Sequence, residues 1–106
     1  MKILTKEIIR EFEKTGRQET TPIEDKICVV KIFNPAGDGT WYLTEFDEAQ
    51  GEFFGLVDIH GELEWGYSSL EEMQAIKGPL GIGLERDLYG NFPKKFSEIK
   101  ALDGRL

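Results

Sequence analysis

Apolar residues recur at helical spacing near the start of the chain. Leu4, Ile8 and Phe12 are four residues apart, so they form one stripe on a helix. Thr5 directly precedes the stripe and is of a type that caps helix N-termini through its hydroxyl. The pattern therefore predicts a helix over residues 6–14 that packs one face on a core.

A second helical pattern begins after Ser69. Ser69 and Glu72 have the spacing of a capping box, in which each side chain bonds the other residue's main chain. Leu70, Met73 and Ile76 then recur every three residues and form one apolar side. We predict a short helix here that the following Gly-Pro pair ends.

Between these helices the pattern changes to that of β-strands. Turn-forming residues separate four segments that are rich in β-branched and aromatic residues, namely 26–33, 40–46, 52–59 and 62–67. Each connection is far shorter than the dozen residues that a parallel crossover needs. The strands are therefore predicted to be antiparallel.

Beyond the second helix the patterns are weaker. Leu80, Ile82 and Leu84 alternate with glycines, which favours a short strand, and residues 95–102 resemble a short helix. The full order predicts an α+β domain over residues 1–106, with a small antiparallel sheet of four to five strands packed with two or three short helices.

Composition limits the expected location of the protein and the kinds of site that it can contain. No apolar run reaches the roughly 20 residues that span a bilayer, and the N-terminal segment lacks the apolar stretch of a signal peptide. We therefore expect a cytoplasmic protein without a membrane partner. Cys28 is the single cysteine and lies among apolar residues, which indicates a buried thiol. No cofactor fingerprint is present.

Charge is distributed unevenly along the chain, whose net charge is −7. Residues 32–76 contain no lysine or arginine but ten acids: Asp38, Glu45, Asp47, Glu48, Glu52, Asp58, Glu62, Glu64, Glu71 and Glu72. Such a block repels phosphates, so direct nucleic-acid binding is not expected. It would attract a basic protein partner. The alternative is a solvated sheet surface that like charges keep soluble.

Two short segments have the composition of a binding site. The turn over residues 34–41 is rich in glycine and polar groups, and residues 85–87 combine three charges after an apolar run. The candidate binding residues are Asn34, Thr40, Trp41, Glu85, Arg86 and Asp87. The alternatives are an ordinary hairpin turn and a structural ion pair.

Two other groups of residues, one aromatic and one of metal-binding types, give weaker indications of function. Seven aromatic residues lie between positions 41 and 67, and this segment has no cation for a nucleic-acid groove, so they are predicted to be core or a patch for a protein partner. Asp58, His60, Glu62 and Glu64 are of metal-binding types, but their spacing matches no established motif. We predict no metal site.

Several sequence blocks occur together in a recognisable order. They are VVKIFNPAG (29–37), TWYLTE (40–45), FGLV (54–57), GYSSLEE (66–72) and GLERDLY (83–89). In these blocks the chain resembles a family of short uncharacterised bacterial, plasmid and phage proteins, known only as a domain of unknown function. The resemblance implies a link to mobile elements and no catalytic residue.

These observations lead to two hypotheses on function. The first is a non-enzymatic accessory factor, associated with mobile elements, that binds a basic protein through its acidic, aromatic-bearing sheet. The second is a small ligand-binding domain or enzyme whose pocket is formed by the 34–41 loop and the 85–87 segment. The second requires both segments to meet at one cavity.

Overall fold

The computed structural model describes residues 2–106, and its first element is the predicted helix. Helix α1 spans Lys6–Thr15. The Thr5 hydroxyl accepts a hydrogen bond from the Ile8 amide at 3.2 Å, which confirms the predicted cap. The helix ends at Gly16, whose φ of 71° lies in the left-handed region that favours glycine.

Seven strands follow, in two antiparallel sheets. They are β1 (Ile27–Cys28), β2 (Val30–Phe33), β3 (Thr40–Asp47), β4 (Glu52–Ile59), β5 (Glu62–Ser69), β6 (Glu85–Arg86) and β7 (Lys94–Lys95). The large sheet has the order β5-β4-β3-β2-β6, and β1 pairs with β7 in a small second sheet. The predicted α+β class with a small antiparallel sheet is confirmed.

The predicted strand over residues 26–33 is divided at Val29. The amide of Val29 donates to the carbonyl of Leu43 at 2.9 Å, although Leu43 is also the register partner of Val30. Val29 and Val30 therefore both oppose Leu43, which is the pattern of a β-bulge, and the chain changes direction there. Residues before this point join the small sheet, and residues after it join the large sheet.

The second helix, α2 (Leu70–Ala75), also starts as predicted. The Ser69 hydroxyl accepts a hydrogen bond from the Glu72 amide at 3.2 Å. Met73 is buried on its inner side, whereas Leu70 and Ile76 are partly buried against the same core.

The predicted strand over residues 80–84 is wrong. Leu80 has a φ of 62°, is 97% exposed and lies in a 3₁₀ turn, Pro79–Gly81. The Gly78 amide donates to the carbonyl of Ile82 at 2.7 Å, so this segment folds back on itself instead of extending. Strand β6 begins only at Glu85.

Hydrophobic clusters cover both faces of the large sheet. On one face, which we call the helical face, α1 and α2 pack on β2–β4 through Phe12, Ile32, Trp41, Leu43, Phe53 and Met73. On the other, the C-terminal face, Tyr42 and Leu56 pack against Phe96, Ile99 and Leu102. These last three residues lie in or between two 3₁₀ turns, Phe96–Glu98 and Lys100–Leu102, where the sequence predicted one short helix.

The segment over residues 2–106 contains no helix with the length and apolar character required to cross a bilayer.

Candidate binding cleft at one end of the sheet

The 34–41 turn uses most of its polar groups internally. The Asn34 side chain accepts a hydrogen bond from the Ala36 amide at 3.1 Å and donates to the carbonyl of Asp38 at 3.4 Å. The ring of Trp41 is buried and covers Gly39, where an added Cβ would lie 2.7 Å from the ring. In this turn the candidate residues Asn34 and Trp41 therefore stabilise the fold.

The 85–87 segment is similarly engaged. Arg86 donates through Nε to the carbonyl of Lys2 at 2.7 Å, which ties the N-terminal segment to the sheet edge. Asp87 accepts hydrogen bonds from the amides of Tyr89 and Gly90, both at 2.9 Å, and its other oxygen lies 3.6 Å from Lys31 Nζ. These contacts include one ion pair, that of Asp87 with Lys31, whereas the described contact of Arg86 is with a main-chain carbonyl of the N-terminal segment and not with a carboxylate.

The two candidate segments lie close together on either side of strand β2. Phe33 of β2 pairs with Thr40 on one side and Glu85 on the other, so a single strand separates them. One cavity is lined by Arg86 and Asp87 and another by Glu85, and neither of these two contains a residue of 34–41. The sheet thus places the two segments side by side, and neither of these two cavities joins them.

The ten acids of the base-free block have separated into groups. Asp58 pairs with Arg105 at 3.0 Å, and Asp38 lies 2.9 Å from Nδ1 of His60. No lysine, arginine or histidine nitrogen among residues 2–106 lies within 4.0 Å of the other eight. Glu62 and Glu64 lie on β5, towards the tight turn that joins it to β4.

The remaining six acids gather at the opposite end of the sheet, around the β3–β4 turn. Four of them line a cleft of about 450 Å³ between this turn and the end of α1. We call it the acidic cleft, and its acidic lining is Glu13, Glu19, Glu45, Asp47, Glu48 and Glu52. Glu71 and Glu72 follow Ser69, the strand partner of Glu52, and so belong to the same end of the sheet.

Only one basic residue lines the acidic cleft among the described residues. Arg17 is highly exposed, and its guanidinium contacts Glu19 at 3.3 Å. Glu45, Asp47, Glu48 and Glu52 have no such partner, so the cleft has a strong excess of negative charge. An excess of one sign in a concave site concentrates ions of the opposite sign.

Strand register places carboxylates and aromatic rings in adjacent rows on the C-terminal face. Glu45 pairs with Phe54, which pairs with Tyr67, so their side chains form one row across three strands. Asp47 and Glu52 form the next row. A bulge between Leu43 and Glu45 shifts the alternation of β3 and brings Glu45 to this face.

The aromatic row is only partly covered. The ring centroids of Phe54 and Tyr67 are 5.0 Å apart, and these two rings meet edge to face. The ring centroids of Phe54 and Trp65 are 6.0 Å apart. Trp65 in turn contacts Phe96 of the core at 5.4 Å, whereas Tyr67 is 72% exposed. The cluster of Trp65, Phe54 and Tyr67 therefore begins against the core and ends as an exposed ring beside the carboxylates.

Gln18 holds the wall of the cleft in place, a role that the sequence did not indicate. It is 4% exposed, and its side-chain amide donates to the carbonyls of Ile27 and Thr44 at 2.9 and 3.0 Å. Its own main-chain amide donates to the carboxylate of Glu45 at 3.2 Å. Gln18 lies in a polar loop, where no pattern of apolar residues predicts that a polar side chain is buried.

The acids and histidine of the β4–β5 turn do not assemble into a metal site. Asp58 is engaged by Arg105, and His60 faces Asp38. Within residues 2–106 no three histidine, cysteine, aspartate or glutamate side chains form a metal-binding group. Nor is Cys28 activated: burial raises the pKa of its thiol far above its ordinary value, which keeps it protonated.

Comparison with models of known protein families identifies a family for this chain. A family model described as "Protein of unknown function (DUF2958)" matches residues 3–102, nearly the whole chain. Neither the curated proteins nor the solved structures include a significant match.

Proposed function

Since the chain belongs to this family of unknown function, we propose a function from the surface of the protein itself. We propose that it is a non-enzymatic cytoplasmic accessory factor that binds a basic protein through the acidic cleft. The observation that carries this proposal is the juxtaposition of Glu45 and Glu52 with the partly buried ring of Phe54 and the exposed ring of Tyr67. The occupant would be a segment rich in arginine or lysine.

Both components of the cleft favour such a segment. The carboxylates of the cleft that have no basic partner among residues 2–106 attract its charges, which raises the rate of association and selects against acidic partners. An exposed tyrosine ring offers a cation–π contact worth about 0.5–1 kcal/mol at an accessible site. The same carboxylates repel the phosphates of nucleic acids, which supports a protein as the partner.

The structural roles of the other candidate residues support this choice. Asn34, Trp41 and Asp87 are engaged within the fold, and the cavity that Arg86 and Asp87 line contains no residue of the 34–41 loop. We extend the proposal to mobile elements because the sequence blocks resemble those of plasmid and phage proteins. The natural partner would then be a basic protein of the host or of the element.

A labelled peptide alternating lysine with threonine or valine, of about eight residues to match the length of a strand, tests the proposal. Its affinity is measured by fluorescence anisotropy for the wild type and for the Glu45→Gln, Glu52→Gln double variant. The control is Glu24→Gln with Asp103→Asn, which removes two exposed charges outside the cleft. Circular dichroism checks that each variant is folded.

We expect the cleft variant to bind about tenfold more weakly, equivalent to about 1.4 kcal/mol, and the control to stay within about twofold of the wild type. Equal weakening in both variants would mean that only net charge attracts the peptide, and that result would refute the proposal. The absence of binding to the wild type at low salt would refute it as well.

A further inference from the structure

Strand β5 forms one outer edge of the large sheet. In the strand order it has a single neighbour, β4, and it is paired along its whole length from Glu62 to Ser69. Its other edge has no strand partner among residues 2–106. An eight-residue edge that stays open is long enough to pair with another extended chain.

The register shows which main-chain groups are free on this edge. The Leu70 amide donates to the carbonyl of Gly51 at 2.9 Å, which continues the β4–β5 pairing by one residue. Since hydrogen bonding alternates along an antiparallel pair, the N–H and C=O groups of Leu63, Trp65 and Tyr67 are directed away from β4. No residue in the described part of the chain hydrogen-bonds to them.

Charge on the edge determines which chain would fit. Glu62 and Glu64 are exposed on the helical face of β5 and have no basic partner within residues 2–106. A second copy of β5 would bring further glutamates to this edge, where like charges directly opposite each other are destabilising. Lysine or arginine at alternate positions of an incoming strand would instead meet opposite charge.

The edge is also continuous with the acidic cleft. Tyr67 belongs to β5 and lines the cleft, so one extended segment can contact both surfaces. On the opposite face of β5, Trp65 and Leu63 are only partly buried, so they offer apolar area to the residues that alternate with the basic ones.

We propose, on the basis of the function proposed above, that a basic extended segment of the partner binds as an additional antiparallel or parallel strand on the β5 edge. Its main chain hydrogen-bonds with Leu63, Trp65 and Tyr67. Its paired basic side chains lie against Glu62 and Glu64 on the helical face. Beyond Tyr67 the segment leaves the strand pairing, and a terminal basic residue enters the acidic cleft.

Two methylated forms of the lysine-alternating peptide test this mode of binding. One carries N-methyl groups on every lysine, and the other carries them on every threonine and valine. In an added strand only alternate N–H groups face the neighbouring strand, so only one set of methyl groups would block pairing. We expect one form to bind at least about tenfold more weakly and the other to match the unmethylated peptide within about twofold.

Amide hydrogen exchange, measured by NMR, gives a second readout on the intact protein. Saturating unmethylated peptide should slow exchange at Leu63, Trp65 and Tyr67 by at least about tenfold, because pairing removes these amides from solvent. The amide of Leu80, which lies in an exposed turn outside both surfaces, serves as the control and should be unchanged.

The outcomes separate this inference from the proposed function. If both methylated peptides bind like the parent, or both weaken equally, and the three amides stay unprotected, strand addition is refuted. The cleft proposal survives that result provided that Glu45→Gln with Glu52→Gln still weakens binding. Concentration-dependent protection of the same amides without peptide would identify a second copy as the occupant and would also refute the inference.

Discussion

Asp47 and Glu52 stand directly opposite each other on β3 and β4, and no cation among residues 2–106 forms an ion pair with either. Like charges in directly opposed cross-strand positions destabilise a sheet. The fold therefore retains a repulsion between two residues that line the acidic cleft, and a cationic group bound there would relieve it. This links stability to the proposed binding function.

Replacing Glu52 with glutamine should stabilise the isolated protein. We expect the free energy of unfolding to rise by about 0.2–1 kcal/mol at low salt, because the opposed charges are lost. The gain should shrink at high salt, where the repulsion is screened. Urea unfolding at two salt concentrations measures it, with Glu24→Gln as the control. A loss of stability at low salt would show that Glu52 is not under repulsion.

Gly55 and Gly66 are strand partners whose surroundings differ sharply. A Cβ on Gly55 would collide with the Tyr42 carbonyl oxygen and lie 2.8 Å from Cα of Leu43, whereas a Cβ on Gly66 would meet no atom within 4 Å. We expect Gly55→Ala to cost on the order of 3 kcal/mol, the upper range of overpacking. Gly66→Ala should stay within about 1 kcal/mol of the wild type.

The comparison of these two variants by thermal unfolding isolates the steric effect, because both residues are glycines within the same strand pair. Similar stabilities for the two alanine variants would show that the main chain at Gly55 moves to accept the extra carbon. That outcome would contradict the predicted rigid contact between β3 and β4.

Gln18 should be important for stability through hydrogen bonding rather than volume. Gln18→Met keeps the approximate shape but leaves the carbonyls of Ile27 and Thr44 without their donor, and the Ile27 amide without its 2.5 Å acceptor. Unsatisfied buried groups cost about 1–3 kcal/mol each, and relaxation recovers part of this, so we expect a net loss of about 2–3 kcal/mol. Urea unfolding measures it.

A matched control is Gln50→Met, because Gln50 lies in the exposed β3–β4 turn and its side chain makes no hydrogen bond to the described residues. It should change the free energy of unfolding by less than about 0.5 kcal/mol. If Gln18→Met is equally mild, the loop that contains Gln18 is not held to the sheet by these bonds.

Local pattern was sufficient to predict most of the central fold. The bounds of β4, the His60–Gly61 turn and the caps at Thr5 and Ser69 depend on residues next to each other, whose preferences do not require a distant partner. The prediction was wrong where alternation alone indicated a strand. At Leu80 the positive φ and the turn chemistry of the flanking glycines outweighed the periodicity.

The acidic cleft could be predicted only in part. The base-free block indicated excess negative charge, but which acids gather depends on strand register and on the bulge at Glu45. Glu13 and Glu19 join the cleft from outside the block because α1 ends beside the β3–β4 turn. Such contacts between distant segments leave no local pattern in the sequence.

Asp87 should contribute to stability and not to binding of the basic peptide. Its carboxylate organises the turn that follows β6 by accepting hydrogen bonds from Tyr89 and Gly90. We expect Asp87→Ala to lower the free energy of unfolding by about 1–2 kcal/mol and to leave peptide affinity within about twofold of the wild type. A large loss of affinity in a folded variant would favour a binding site at the 85–87 segment.

Cys28 should make the fold less stable as the pH rises above about 9, the thiol's ordinary pKa. Desolvation by burial raises the pKa of the folded thiol, so the unfolded chain releases its proton first and is stabilised by doing so. Between that pH and the folded pKa, the free energy of unfolding falls by about 1.4 kcal/mol per pH unit, the value for one proton. The Cys28→Ala variant has no thiol and does not lose stability in this way. The difference in the free energy of unfolding between the wild type and this variant should therefore become smaller from pH 9 to about 11. Urea unfolding across this range measures the difference, and a difference that stays constant would show that the thiol titrates alike in both states.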